Sequence, residues 1–215
     1  MDTNARNAYR RRQVSRGFTL LELITAVAIV AILVAVALPN FSEFLIRSTV
    51  SDNSSDLIAA INVARSEAVK RGRPVSVIAN GGNWNAGWQV VVAKEIVGGV
   101  QSTPVTPGPA EADCKAYVDN AVNAGSTTPL CPRWRGSLPT DYTIAGIHTG
   151  VGGVDTQFTF NPTGTLSPAN TSFDFSVCRP VGHSDVRRSR WVTVTAMGVI
   201  TSRRDVTSSP AGVCP

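Results

Sequence analysis

RGFTLLELITAVAIVAILVAVALPNF, residues 16–41, decides how this chain is organised. From Phe18 to Leu38 run twenty-one residues, nearly all apolar, with one formal charge among them, Glu22. As an α-helix at ~1.5 Å per residue the run spans about 32 Å, the thickness of a hydrocarbon core of about 30 Å. A lone carboxylate in such a segment costs about 2.5–3.5 kcal/mol at the helix centre and less near an end, so Glu22 needs a partner.

The residues before the run set its direction. Arg6, Arg10, Arg11, Arg12 and Arg16 stand against Asp2, so positions 1–17 carry a net +4 of the chain's +5. A basic leader stays cytoplasmic, which predicts a single pass with the carboxyl side outside. The remainder is near neutral, and a pI of 9.4 is by itself no sign of nucleic acid.

Cys114, Cys131, Cys178 and Cys214 all lie on the exported side. None is in CxxC spacing or near a histidine, so they read as disulfides of an oxidising compartment. Three pairings are open, of which Cys114–Cys131 and Cys178–Cys214 are favoured because each closes a Gly/Pro/Ser-rich segment. Each closure is worth roughly 3–4 kcal/mol by loop entropy.

Beyond the run, Pro39 ends or kinks the helix. Phe41, Leu45, Leu57, Ile61, Ala64 and Ala68 keep a helical spacing that reaches Arg71, where Gly72 and Pro74 stop it. SDNSSD, residues 51–56, reads as too polar to be buried. The period then changes: PVSVIAN and WQVVVAKEIV are strands about the turn GGNWNAG. Residues 98–130 form an irregular Pro/Gly/Thr-rich excursion. DYTIAGI, TQFTFNPTGTLS, TSFDFSVC and RWVTVTAMGVI are further strands, the last one continuous from Arg190 to Thr201, with Phe158, Phe160, Phe173, Phe175, Val177, Val192 and Val194 on buried faces. The expected fold is α+β: a long N-terminal helix, its first half transmembrane, packed on a C-terminal antiparallel β-domain. Its divisions are a leader over 1–17, an assembly helix over 18–38, an amphipathic continuation over 39–72 and a globular domain over 73–215.

Arg16-Gly17-Phe18-Thr19-Leu20-Leu21-Glu22-Leu23 resembles the class III signal of type IV pilins and of the pilin-like proteins of type II secretion. The resemblance implies a prepilin peptidase that cuts after Gly17 and methylates the new amine of Phe18. It implies an assembly role for Glu22, paired with the Phe18 amine of a neighbouring subunit. ARSEAVKRGRPVSV at residues 64–77, and Phe160-Asn161-Pro162-Thr163-Gly164 with a strand ending in Cys178, resemble the GspH/FimT branch. Three roles follow from that branch: a minor pilin that primes type IV pilus assembly, an H-type pseudopilin of type II secretion, or a DNA-binding minor pilin of natural transformation. Of these the first is preferred. The implied partners are the prepilin peptidase, other pilins or pseudopilins, and an inner-membrane assembly platform, with the β-domain periplasmic.

The DNA-binding members of the branch carry a Gly-Arg-x-Arg motif near the C-terminus. Here the order is Gly198-Val-Ile-Thr-Ser-Arg203-Arg204, so the spacing differs. Six arginines nevertheless fall between Arg179 and Arg204 against one acid, Asp185. Arg187, Arg188, Arg190, Arg203 and Arg204 are the candidate DNA contacts, and would be phosphate-led and sequence-independent. They form one patch if the chain bends back. The alternative is a solvated face or pairing with acidic neighbours. His148 and His183 are the only histidines, with no nucleophile elbow, phosphate loop or metal-ligand spacing. The expectation is a structural protein, not an enzyme, with no cofactor and no metal; Asp155 and Asp174 read as surface residues.

Overall fold

The computed structural model describes residues 17–93, 107–116, 130–149, 155–179 and 189–204, without the side chains of 37–40 and 42. The chain divides into two units, Met1–Phe44 and Leu45–Pro215.

One continuous helix, α1, occupies Leu20–Arg71. It continues through Pro39, where the sequence predicts a break or kink. In the first unit α1 has no polar side: Leu20, Leu21, Leu23, Ile24, Val27, Ile29, Val30, Ile32 and Leu33 are all exposed. A helix apolar all round needs a non-aqueous environment or partner helices. The uninterrupted run of described side chains ends at Val36. Among the described residues no helix is long and apolar enough to cross a membrane.

In the second unit α1 becomes one-sided. Leu57, Ala60, Ile61, Ala64 and Ala68, spaced by three and four, are fully buried. Three of the five are alanines, which let strands approach the helix closely. Glu67 and Arg71 pair one turn apart near its end.

Among the described residues nine strands follow: β1 (Val75–Ala79), β2 (Trp88–Val92), β3 (Arg133–Arg135), β4 (Thr143–Thr149), β5 (Gln157–Phe160), β6 (Leu166–Ser167), β7 (Ser172–Cys178), β8 (Ser189–Val194) and β9 (Ile200–Arg204). They form a five-stranded sheet ordered β3-β2-β1-β5-β6 and a four-stranded sheet ordered β4-β7-β8-β9. Every pairing is antiparallel. Val75, Val77, Trp88, Val90, Phe158 and Phe160 of the first sheet share one core with Phe173, Phe175, Val177, Val192 and Val194 of the second and with the helix. Trp84 stands edge-on to Phe175 at 4.9 Å between centroids and donates its Nε1 proton to the Asp155 carbonyl at 2.9 Å.

The predicted β1–β2 hairpin is present, with Val77 opposite Val90. The strand expected to run from Arg190 to Thr201 is instead a hairpin. Thr195 and Gly198 close its turn, with Thr195 N donating to Val199 O at 2.9 Å and Gly198 N to Thr195 O at 2.7 Å. The short strand β3 is an addition to the strands the sequence predicts. Of the 98–130 excursion, 107–116 and 130 are described; 111–116 is helical rather than irregular, and the segment lies against the first sheet, where Gln89 Nε2 donates to Pro107 O and Trp134 Nε1 to Pro109 O. Cys114 and Cys131 are disulfide-bonded across a 5.6 Å Cα separation. Cys178 is also in a disulfide; its expected partner, Cys214, lies outside the described residues.

Candidate functional site

At the head of α1 the chain is non-helical through Thr19. Thr19 is the N-cap: its Oγ1 accepts from Glu22 N at 3.2 Å, and its carbonyl accepts from Leu23 N at 3.2 Å. Thr19-x-x-Glu22 is the Ser/Thr-x-x-Glu spacing of a capping box, a signal present in the sequence but not used there. Glu22 therefore sits in the first turn, where unpaired amides favour a negative charge. Gly17 has nothing within 4 Å of its Cβ position, and Phe18 is 83 % exposed. Gly17 and Phe18 are thus non-helical and exposed, just upstream of the helix start.

The polar stretch of α1 overturns an expectation. Asn53 and Ser54 are buried, not exposed. Arg135 explains why: its Nη2 donates to Asn53 Oδ1 at 2.7 Å, its Nε lies 3.1 Å from Asp56 Oδ2, and its guanidinium lies 4.8 Å from the Trp88 ring centroid. Arg133 lies 3.7 Å from the other Asp56 oxygen. Burial lowers the Arg135 pKa, Asp56 opposes that and Arg133 adds to it. From the second sheet, Arg190 Nη2 donates to Ser51 Oγ at 3.0 Å. Residues 51–56 are where both sheets are tied to the helix by hydrogen bonds.

A second tie lies further along. Arg65 Nε donates to Gly164 O at 3.1 Å and Nη2 to Met197 O at 3.3 Å. Gly198, at φ 73°, packs so closely that a Cβ there would lie 2.2 Å from Gly164 O. The β5–β6 and β8–β9 turns are stacked and held by one helix arginine.

The candidate basic residues separate. Arg187 and Arg188 lie outside the described residues. Arg190 is directly opposite Arg204, and Arg203 opposite Trp191. Because side chains alternate, Arg190 and Arg204 share the helix-facing side with Val192 and Val194, while Arg203 takes the other. Among the described arginines the hairpin sets Arg190 beside Arg204 on one face and Arg203 on the other.

His148 is buried, and its Nδ1 lies 2.8 Å from Asp155 Oδ2. Asp174, expected at the surface, is buried and accepts from Thr149, Trp191 and Thr193. Those three donors satisfy the carboxylate and give it a structural role. Among the described residues no group of His, Cys, Asp and Glu could hold a metal ion.

Residues 53–198 match the family of type II transport protein GspH, and residues 12–38 match the prokaryotic N-terminal methylation motif. The type IV major pilin protein PilA of Myxococcus xanthus is 46 % identical over 52 residues, 24 % of each chain. Fimbrial protein EcpC of Eikenella corrodens is 46 % identical over 41 residues, 19 % of this chain and 27 % of its own. The chain thus spans about a quarter of the length of these relatives. The Pseudomonas aeruginosa type IV minor pilin FimU aligns with TM-score 0.48 and 20 % identity, over 78 % of this chain and 98 % of that one.

Proposed function

The chain belongs to the family of type II transport protein GspH, and from that premise we propose that it is a minor pilin of a type IV pilus, a structural subunit rather than an enzyme. The observation that carries the reading is the head of α1. An exposed Gly17–Phe18 bond precedes a Thr19-capped helix whose first unit is apolar on every side. Such a helix is stable only in lipid or among like helices, and it occupies each environment in turn.

Before assembly the leader is cytoplasmic, α1 crosses the inner membrane once and the β-domain is periplasmic. Prepilin peptidase cuts at Gly17 and methylates Phe18. The assembly platform then transfers the helix into the filament, where the Glu22 carboxylate meets the Phe18 ammonium of an adjacent pilin. That ion pair relieves the cost of carrying a charge into an apolar bundle. The β-domain, its core complete without the first unit, is the part exposed on the assembled structure.

Deletion in the native host separates this reading from an H-type pseudopilin role. Loss of surface pili with protein secretion intact is the expected result. Loss of secretion with pili intact assigns the chain to type II secretion.

A further inference from the structure

Strand β9 is the last of its sheet, and among the described residues no strand pairs with its outer edge. At the turn of the hairpin Thr195 N donates to Val199 O. Bonded pairs alternate along an antiparallel ladder, so Thr193–Thr201 and Trp191–Arg203 are the next ones. The amides and carbonyls of Ile200 and Ser202 therefore point away from β8.

Between that edge and the second-unit part of α1 lies a groove of about 250 Å³, lined by Ile58, Asn62, Arg65, Val199, Ile200 and Ser202. Leu45 aside, the large apolar side chains that the second unit leaves exposed among its described residues are Val69, Met197 and Val199. All of them gather at Arg65. Val199 lines the groove, Met197 O accepts from the Arg65 guanidinium, and Val69 Cγ2 lies 3.1 Å from the Cβ position of Gly164, whose carbonyl Arg65 also holds.

An unpaired strand edge beside an apolar hollow is the arrangement that accepts an added strand: main chain bonds to the edge and a side chain fills the hollow. Charge selects which strand fits. Arg203 and Arg204 continue the edge, and among the described residues no carboxylate pairs with them or with Arg65. Pairing with β9 of a second copy would gather four arginines on one ladder, which like-charge repulsion opposes.

We propose that β9 and the groove dock an extended segment of another protein, with an aliphatic side chain opposite Ile200 and a carboxylate opposite Arg203. The aliphatic side chain enters the groove on the helix side. The carboxylate, three positions along, faces the other side, as alternation in a strand requires. The surface belongs to the second unit alone and does not depend on the function proposed above.

The test follows amide hydrogen exchange in the full chain held in detergent micelles. In the chain alone Thr201 and Arg203 should exchange slowly, and Ile200 and Ser202 fast. The probe is a capped nine-residue peptide alternating valine and threonine, with a glutamate three positions after its central valine. At ten times its measured dissociation constant it should slow Ile200 and Ser202 about ten-fold and leave Thr201 unchanged. Lysine in place of that glutamate should weaken binding about five-fold. Asn62→Trp fills the groove from an exposed helix position and should abolish binding. Ser202→Pro removes an outward donor without breaking the ladder to β8, and should weaken binding about five-fold. If Ser202→Pro does not fold, Asn62→Trp decides. Slow exchange of Ile200 and Ser202 without peptide means that the edge is already covered, and overturns the proposal. So does a peptide that leaves both amides fast, equal binding of the lysine peptide, or undiminished binding to Asn62→Trp.

Discussion

Arg65 and Gly164, 99 positions apart, are joined by a 3.1 Å hydrogen bond from the guanidinium Nε to the glycine carbonyl. The Ala-Arg-Ser-Glu-Ala stretch of the helix and the Phe-Asn-Pro-Thr-Gly turn are therefore two halves of one junction. Arg65 serves both turns at once, and Gly198 completes the contact because no side chain fits there.

Removing the clamp leaves two carbonyls without their donor. Arg65→Ala should destabilise the domain by about 1–3 kcal/mol, read as a lower denaturant midpoint with unchanged slope. Arg65→Lys, a point charge without the fork, should recover only part of the loss.

Gly198→Ala tests the same junction from the other side. Positive φ alone costs of order 1–3 kcal/mol for a side chain, and the collision with Gly164 O adds to it. The expected result is a loss at least as large as that of Arg65→Ala, seen in thermal unfolding.

Arg135 and Asp56 are not equal partners in their ion pair. Asp56 is half exposed, so Asp56→Ala should cost under about 1 kcal/mol. Arg135→Ala also strips Asn53 of its donor and uncovers Trp88, and should cost about 2–3 kcal/mol in the same unfolding assay.

The Cys114–Cys131 bond closes a loop of 17 residues. The double Ser variant should lose about 3 kcal/mol relative to the oxidised protein. Reductant should shift the unfolding temperature of the parent but leave that of a variant also lacking Cys178 and Cys214 unmoved.

Strands with alternating Phe and Val, such as Phe173, Phe175 and Val177, were readable because one face meets the core and the other does not. β3 was not, since Arg133-Trp134-Arg135 turns its two arginines towards the helix and so inverts the usual pattern. The same pairing hid the burial of Asn53 and Ser54. A polar run looks exposed until its donors, 82 positions away in the case of Arg135 and Asn53, are known. The apparent strand from Arg190 to Thr201 misled for a local reason: Met197-Gly198 sits in an alternating sequence, and only the positive φ of Gly198 reveals the turn. At the head of α1 the methylation motif over residues 12–38 was legible because it is a local pattern. What escaped there was the cap itself, Thr19 bonding to the Glu22 amide.

The proposed charge of Glu22 in assembly and the Thr19 cap on its backbone amide can be parted by mutation. Glu22→Ala should leave cleavage after Gly17 intact and impair incorporation into filaments, because it removes the charge proposed to meet the Phe18 ammonium. Thr19→Ala should lower helix stability by about 1 kcal/mol through the lost cap while retaining that charge, and so should assemble better than Glu22→Ala. Recovery of each variant in sheared filaments, against total processed protein, gives the comparison.

The most direct test is mass spectrometry of the amino terminus of the chain recovered from sheared filaments. The account predicts a mature chain that begins at Phe18, carries a methyl group on its amine and retains Glu22 as its fifth residue. A filament-borne chain that begins at any other residue, or a chain never found in filaments, would contradict it.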